Sequence, residues 1–78
     1  MKLNLKRLRA ERIAQGLSQE EMSNLMGWKG RGPYAKRENG LVNIGADELA
    51  HMAEILGYEA KDLGIFFTIN VPKREQFN

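Results

Sequence analysis

The sequence predicts a mainly α-helical domain of five short helices followed by a C-terminal β-strand. Apolar residues recur at spacings of three and four through residues 5–56, which is the period of an amphipathic helix. Glycines interrupt this pattern, so the apolar positions fall into separate short helices. Residues 65–71 differ from the rest because they are β-branched and aromatic and alternate in polarity from Phe67 onwards, which is typical of a strand.

The first helix is predicted from Leu5 to about Gln15, and Gly16 ends it. Leu5, Leu8 and Arg12 share one face because they are spaced at i, i+3 and i+7. A buried guanidinium needs a partner, so Arg12 on this apolar stripe predicts a carboxylate elsewhere in the chain. The alternative is that Arg12 extends along its aliphatic stem to solvent.

The second helix begins at Ser18-Gln19-Glu20-Glu21, which has the Ser-x-x-Glu spacing of a capping box. A glycine-rich turn follows it. A third helix is predicted to start near residues 30–33, because Pro33 is tolerated in a first turn, and to run through Glu38. Trp28 in the turn either fills the core between helices two and three or offers a stacking surface for a base.

The fourth helix has the clearest amphipathic pattern, with Leu49, Met52, Ala53 and Leu56 on one face. Gly45 is placed to be its N-cap, and two acidic residues follow at the positive end of the helix dipole. A short fifth helical turn is predicted over residues 60–63.

The composition excludes several functional classes. The chain of 78 residues is enough for one domain but not for a large internal pocket. It has no cysteine and a single histidine, His51, which argues against disulfides, a metal site and nucleophilic catalysis, so we expect neither a cofactor nor an enzyme. No apolar run approaches the roughly 18–20 residues of a membrane span and no secretory signal is visible, so we expect a soluble cytoplasmic protein.

The charge is unevenly distributed along the chain. Residues 1–40 carry nine Lys or Arg against four Glu, a net of +5, whereas residues 41–78 carry three against six acidic residues, a net of −3. Such asymmetry is typical of a face that binds a polyanion, although basic residues also solvate helix surfaces. The basic half contains a capped helix, a glycine turn and a basic helix, and this order is typical of a helix-turn-helix.

Three segments resemble a known family. Residues 12–21 (Arg-Ile-Ala-Gln-Gly-Leu-Ser-Gln-Glu-Glu) are similar to the segment that leads into the second helix of the Cro/C1-type, or xenobiotic-response-element-type, helix-turn-helix regulators. Glu38-Asn39-Gly40 resembles the family's segment after the recognition helix, and residues 49–57 follow at the expected distance. The resemblance covers about residues 5–63. It implies a five-helix, lambda-repressor-like domain that binds double-stranded DNA at specific sequences.

The resemblance also implies roles for individual residues. Arg12 and Glu38 correspond to a buried ion pair between the first helix and the end of the third. Gln19 and Asn39 correspond to contacts with the DNA backbone. The expected DNA contacts as a set are Ser18, Gln19, Lys29, Arg31, Gly32, Tyr34, Lys36, Arg37 and Asn39.

The chain departs from the family's pattern in its third helix. Between Gly27 and Glu38 it is one residue longer than the family's usual pattern, and Arg37 occupies a position that is normally apolar. Either the third helix begins late, or it is rotated, or a local bulge accommodates the additional residue. Arg31, Gly32 and Lys36 fall where the recognition helix reads base edges. Because Gly32 has no side chain, specificity is expected to depend on few contacts and on DNA shape.

The predicted strand has no second strand in the chain to pair with, and an isolated strand edge is a liability. We therefore expect two copies to pair across a dimer axis on a palindromic operator, which divides the chain into a DNA-binding domain over 1–64 and a dimerisation element over 65–78. The alternative is that the strand folds back on its own helices. The interface residues expected are Phe66, Phe67, Ile69 and Val71.

These observations predict a small transcriptional repressor, with no second domain to bind a small-molecule effector. The rival function is a protein-interaction module on the same scaffold, such as an antitoxin or anti-repressor subunit. The glycine-rich third-helix segment and the modest net charge of +2 favour that rival.

Overall fold

The computed structural model describes residues 2–68 of the chain. Four α-helices are followed by a 3-10 helix, and a two-residue strand lies at each end, so the prediction of a mainly α-helical domain with five helices is confirmed. Within these residues no helix is long and apolar enough to cross a membrane. The elements in order are β1 Lys2–Leu3, α1 Leu5–Ala14, α2 Gln19–Leu25, α3 Gly32–Glu38, α4 Ala46–Ile55, the 3-10 helix Ala60–Phe66 and β2 Phe67–Thr68.

The first two helices begin at side-chain caps that satisfy free amide groups. Asn4 Oδ1 accepts a hydrogen bond from the Arg7 amide at 3.1 Å at the start of α1. At the start of α2, Ser18 Oγ accepts from the Glu21 amide at 3.0 Å, and Glu21 Oε1 accepts from the Ser18 amide at 2.8 Å. The capping box expected from the sequence is therefore formed, and it fixes where α2 begins.

The turn between α2 and α3 depends on two glycines. Gly27 has a φ of +91° and Gly30 a φ of +74°, a left-handed backbone that residues with a side chain adopt only with strain. The turn is long, and α3 does not begin until Gly32. This late start is one of the ways in which an additional residue in this segment can be accommodated.

The core is a single cluster to which all five helices contribute. Helices of seven to ten residues are not stable in isolation, so this shared burial holds them in place. Tyr58 packs on Phe66 edge to face, with ring centroids 5.8 Å apart. The buried cluster consists of Leu8, Met22, Tyr34, Leu49, Met52, Ala53, Leu56 and Phe66.

Within the described residues, the C-terminal strand begins later than predicted and has a partner in the same chain. Ile65 and Phe66 belong to the 3-10 helix, and β2 pairs antiparallel with β1, with Leu3 opposite Phe67. The expectation of a strand without a partner was wrong, because two residues at the N-terminus are too short to give a strand pattern. Ile69 and Val71 lie outside the described residues.

Phe66 was also wrongly assigned to a dimer interface. Its side chain has no exposed surface and lies in the core of its own chain, so it is not available to a second copy. Phe67 is half-buried and packs against the same core. The 3-10 helix continues across the expected boundary after residue 64 and ends at Phe66.

Candidate nucleic-acid interface

A buried ion pair joins α1 to the end of α3. Arg12 Nε lies 2.7 Å from Glu38 Oε2, and Arg12 Nη2 lies 3.1 Å from Glu38 Oε1, so the guanidinium binds the carboxylate in a bidentate way through two nitrogens. The third nitrogen, Nη1, donates to the Leu17 carbonyl at 2.6 Å. The Arg12 side chain is only 9% exposed, which excludes the alternative in which it extends to solvent.

The Glu38 carboxylate accepts two further hydrogen bonds. Tyr34 Oη donates to Oε2 at 2.7 Å, and Gln19 Nε2 donates to Oε1 at 2.9 Å. Burial alone raises the pKa of Glu38, but the hydrogen bonds from Arg12, Tyr34 and Gln19 outweigh it and lower the pKa below its usual value. The charged carboxylate therefore stabilises the fold at pH values above the usual pKa of a glutamate. This contribution is lost as the pH falls through the lowered pKa of Glu38.

Gln19 connects this buried group to the surface. Its Oε1 accepts from Arg31 Nε at 2.8 Å while its Nε2 donates to Glu38. A carboxylate only accepts, so the amide nitrogen of Gln19 must face Glu38 and the amide oxygen must face Arg31. Among residues 2–68 this contact uses only Nε of Arg31, so within that part of the chain both terminal nitrogens of this exposed side chain remain for an external acceptor.

An open cleft of about 580 Å³ lies over this network. Four of the expected DNA contacts line it, and they come from the start of α2 and from both ends of α3. Two further lining residues, Arg9 and Glu20, were not predicted; the signal for Arg9 was its position three residues before Arg12 on the same helix face. The lining residues are Arg9, Arg12, Ser18, Gln19, Glu20, Arg31, Glu38 and Asn39.

Three other expected DNA contacts are exposed near α3 without lining the cleft, namely Lys29, Gly32 and Lys36. The prediction for Tyr34 was wrong. Its side chain is fully buried and its hydroxyl is bound to Glu38, so it does not reach DNA. Burial, with the neighbouring carboxylate, raises the pKa of Tyr34, which keeps the phenol protonated as the donor.

Arg37 is engaged inside the protein rather than at the cleft. Its Nε and Nη2 lie 2.9 and 3.1 Å from the two carboxylate oxygens of Glu48, and its Nη1 donates to the Pro33 carbonyl at 2.7 Å. Its guanidinium lies 4.2 Å from the ring centroid of Trp28. Trp28 is half-buried and packs against the core, which favours the first of its two interpretations.

Comparison with protein families agrees with this geometry. Residues 8–63 match the model of the helix-turn-helix family, and this stretch contains all four α-helices except the first turn of α1. Comparisons with curated proteins and with solved structures gave no significant match. The match covers well over half of the chain, and the chain therefore belongs to the Cro/C1-type helix-turn-helix family of DNA-binding regulators.

Proposed function

We propose that this chain is a small transcriptional repressor that acts by occupying a specific site on double-stranded DNA. The observation that carries the proposal is the cleft beside the Arg12–Glu38 pair, where exposed polar and basic side chains from the start of α2 and from the two residues that flank α3 meet. The buried pair fixes α3 relative to α1, and the hydrogen bond from Gln19 to the same carboxylate ties in α2, so these side chains are held ready before DNA arrives. Such preorganisation lowers the cost of ordering the surface on binding.

The cleft and the exposed positions of α3 together offer two kinds of contact. Ser18 Oγ accepts from the Glu21 amide, so its own hydrogen remains available for a phosphate oxygen, and Asn39 is exposed at the end of α3. Arg31 and Lys36 are exposed cations at α3 and suit guanine O6 and N7 in the major groove. Gly32 lies between them and adds no side chain, which allows a close approach of α3 to the groove.

Selection of binding sites from a random DNA pool tests this proposal. We expect one enriched sequence, bound tightly at low salt and much more weakly between about 50 and 200 mM salt because phosphate contacts release counterions. A pool without enrichment, or an affinity that does not change with salt, would contradict the proposal. Failure to retard any DNA at low salt, together with co-purification of another protein, would instead favour the protein-interaction module.

We further propose that the repressor binds as a two-fold dimer on a palindrome. One helix-turn-helix module buries only roughly 600–1,000 Å² on DNA and is marginal alone, and two modules reach half-sites about 34 Å apart. Leu41 and Val42 support this proposal because they are apolar and exposed, at 76% and 37%, in the loop that follows α3. An exposed apolar pair of this kind suits contact with a second copy.

Sedimentation at micromolar concentration measures the oligomeric state. We expect the wild type to form dimers and Leu41→Asp to be a folded monomer, because Leu41 is exposed and its loss does not disturb the core. Ile13→Asp is the matched control, since Ile13 is 55% exposed at the end of α1, and it should remain dimeric. A wild type that sediments as a monomer would rule out the dimer in free solution.

A further inference from the structure

Arg37 joins three elements of the fold. Through Glu48 it contacts α4, through Trp28 it contacts the turn before α3, and it lies itself in the last turn of α3. The carboxylate contact uses two guanidinium nitrogens, and the ring contact is of the cation–π type. These contacts leave Arg37 few donors for any other partner.

Its neighbour in sequence, Glu38, holds α3 from a different side. Successive residues of an α-helix point about 100° apart around the axis. Glu38 is bound to α1 and α2, whereas Arg37 is bound to α4. The ion pairs of these two residues therefore hold the same turn of α3 from different sides. A helix held in this way cannot roll about its own axis, and the roll of α3 decides where its exposed side chains point.

We propose that Trp28, Arg37 and Glu48 form a latch that sets the roll of α3 and so positions Arg31 and Lys36 on DNA, while Arg37 itself does not contact DNA. This inference rests on the proposed DNA-binding function. Arg37 is then a positioning residue, although it is a cation on the recognition helix. The Arg37 and Glu48 side chains are 18% and 30% exposed, so the latch is partly shielded from solvent but is not part of the dry core.

Glu48→Gln separates the latch from a simple charge effect. Removing a negative charge from a DNA-binding domain ordinarily leaves affinity unchanged or raises it. The latch predicts the opposite effect. The affinity for the selected DNA site should fall about three- to tenfold, because the substitution leaves Arg37 without its carboxylate. The amide oxygen of glutamine still accepts from the Gly45 amide, the bond that Glu48 makes at 3.1 Å, so the start of α4 is kept.

Asp47→Asn is the matched control. Asp47 is the neighbouring acidic residue in the first turn of α4, it is exposed, and its substitution changes the charge by the same amount. This variant should bind DNA as tightly as the wild type or more tightly. All variants are first compared by thermal unfolding, so that affinities are measured on folded protein.

Arg37→Lys provides a second test because it keeps the charge but loses the two-nitrogen fork. A latch predicts a loss similar to that of Glu48→Gln, no further loss in the double variant, and an unchanged dependence of affinity on salt. A phosphate contact instead predicts that lysine replaces arginine with little effect, and that result would overturn the latch. Binding of Glu48→Gln that equals or exceeds that of Asp47→Asn would overturn it as well.

A spectroscopic readout requires no DNA. Trp28 is the single tryptophan of the chain, so its fluorescence reports directly on the guanidinium above its ring. Glu48→Gln and Arg37→Lys should both change its emission, and Asp47→Asn should not. Unchanged emission in the first two variants would overturn the latch alone, whereas a wild type that binds no DNA would overturn the proposed function and the positioning role with it.

Discussion

Replacing Arg12 with alanine should lower the free energy of unfolding by about 3–5 kcal/mol. The substitution leaves the Glu38 carboxylate, whose side chain is 2% exposed, without the cation that lies 2.7 Å away. It also removes the donor to the Leu17 carbonyl. A small domain is stable by only about 5–15 kcal/mol in total, so the loss is a large part of what holds the chain folded. Urea unfolding measures the change directly.

The matched control is Arg9→Ala. Arg9 is exposed on the same helix, and its substitution should change the free energy of unfolding by no more than about 0.5 kcal/mol. If Arg12→Ala does not fold, Arg12→Lys gives a measurable partial loss, because it retains the charge without the two-nitrogen grip. A loss below about 1 kcal/mol in Arg12→Ala would contradict the structural role of the pair.

Arg31→Ala should weaken binding to the selected DNA site by about 1–3 kcal/mol, which is roughly 5- to 150-fold, and should relax the preference at one base pair. Gln19 holds Nε of Arg31 at 2.8 Å, and Gln19 is itself held by the buried Glu38 carboxylate. The two terminal nitrogens are therefore presented in a fixed direction, as a bidentate contact with guanine requires. Titration of the cognate site and of single-base variants measures both effects.

Lys61→Ala is the control for the loss of one positive charge. Lys61 is exposed on the 3-10 helix and does not line the cleft, so its removal should leave the base preference intact. If Arg31→Ala weakens every DNA sequence equally and keeps the preference at all base pairs, Arg31 contacts a phosphate rather than a base. That outcome would contradict the reading of base edges by Arg31.

Local signals in the sequence were enough to place the helices. The capping box at Ser18 and the glycines after α1 and α2 act within one helical turn, so they do not depend on the rest of the fold. The strand region was different. Ile65 and Phe66 have strand propensity, but Phe66 fills the core at the end of a 3-10 helix, and tertiary packing overrides a preference of that size.

The site was predictable where partners are close in sequence or fixed by the family. The spacing of Tyr34 and Glu38 at i and i+4 was itself a signal that the hydroxyl would bind the carboxylate rather than DNA. The partner of Arg37 was not predictable in this way. Glu48 lies eleven residues further along the chain, beyond a loop, and its place at the start of a helix already gave it a reason to be acidic.

Because most side chains of α3 are buried or half-buried, few of them can contact DNA bases, and this limits how specifically the helix can recognise a DNA sequence. Five of its seven residues are buried or half-buried, and only Gly32 and Lys36 are exposed along the helix itself. With Arg31 immediately before it, very few side chains are left to distinguish one base from another. A DNA site recognised by so few side chains is expected to be short and to accept several bases at most positions. Much of the preference for one DNA sequence over another would then depend on how easily the DNA bends.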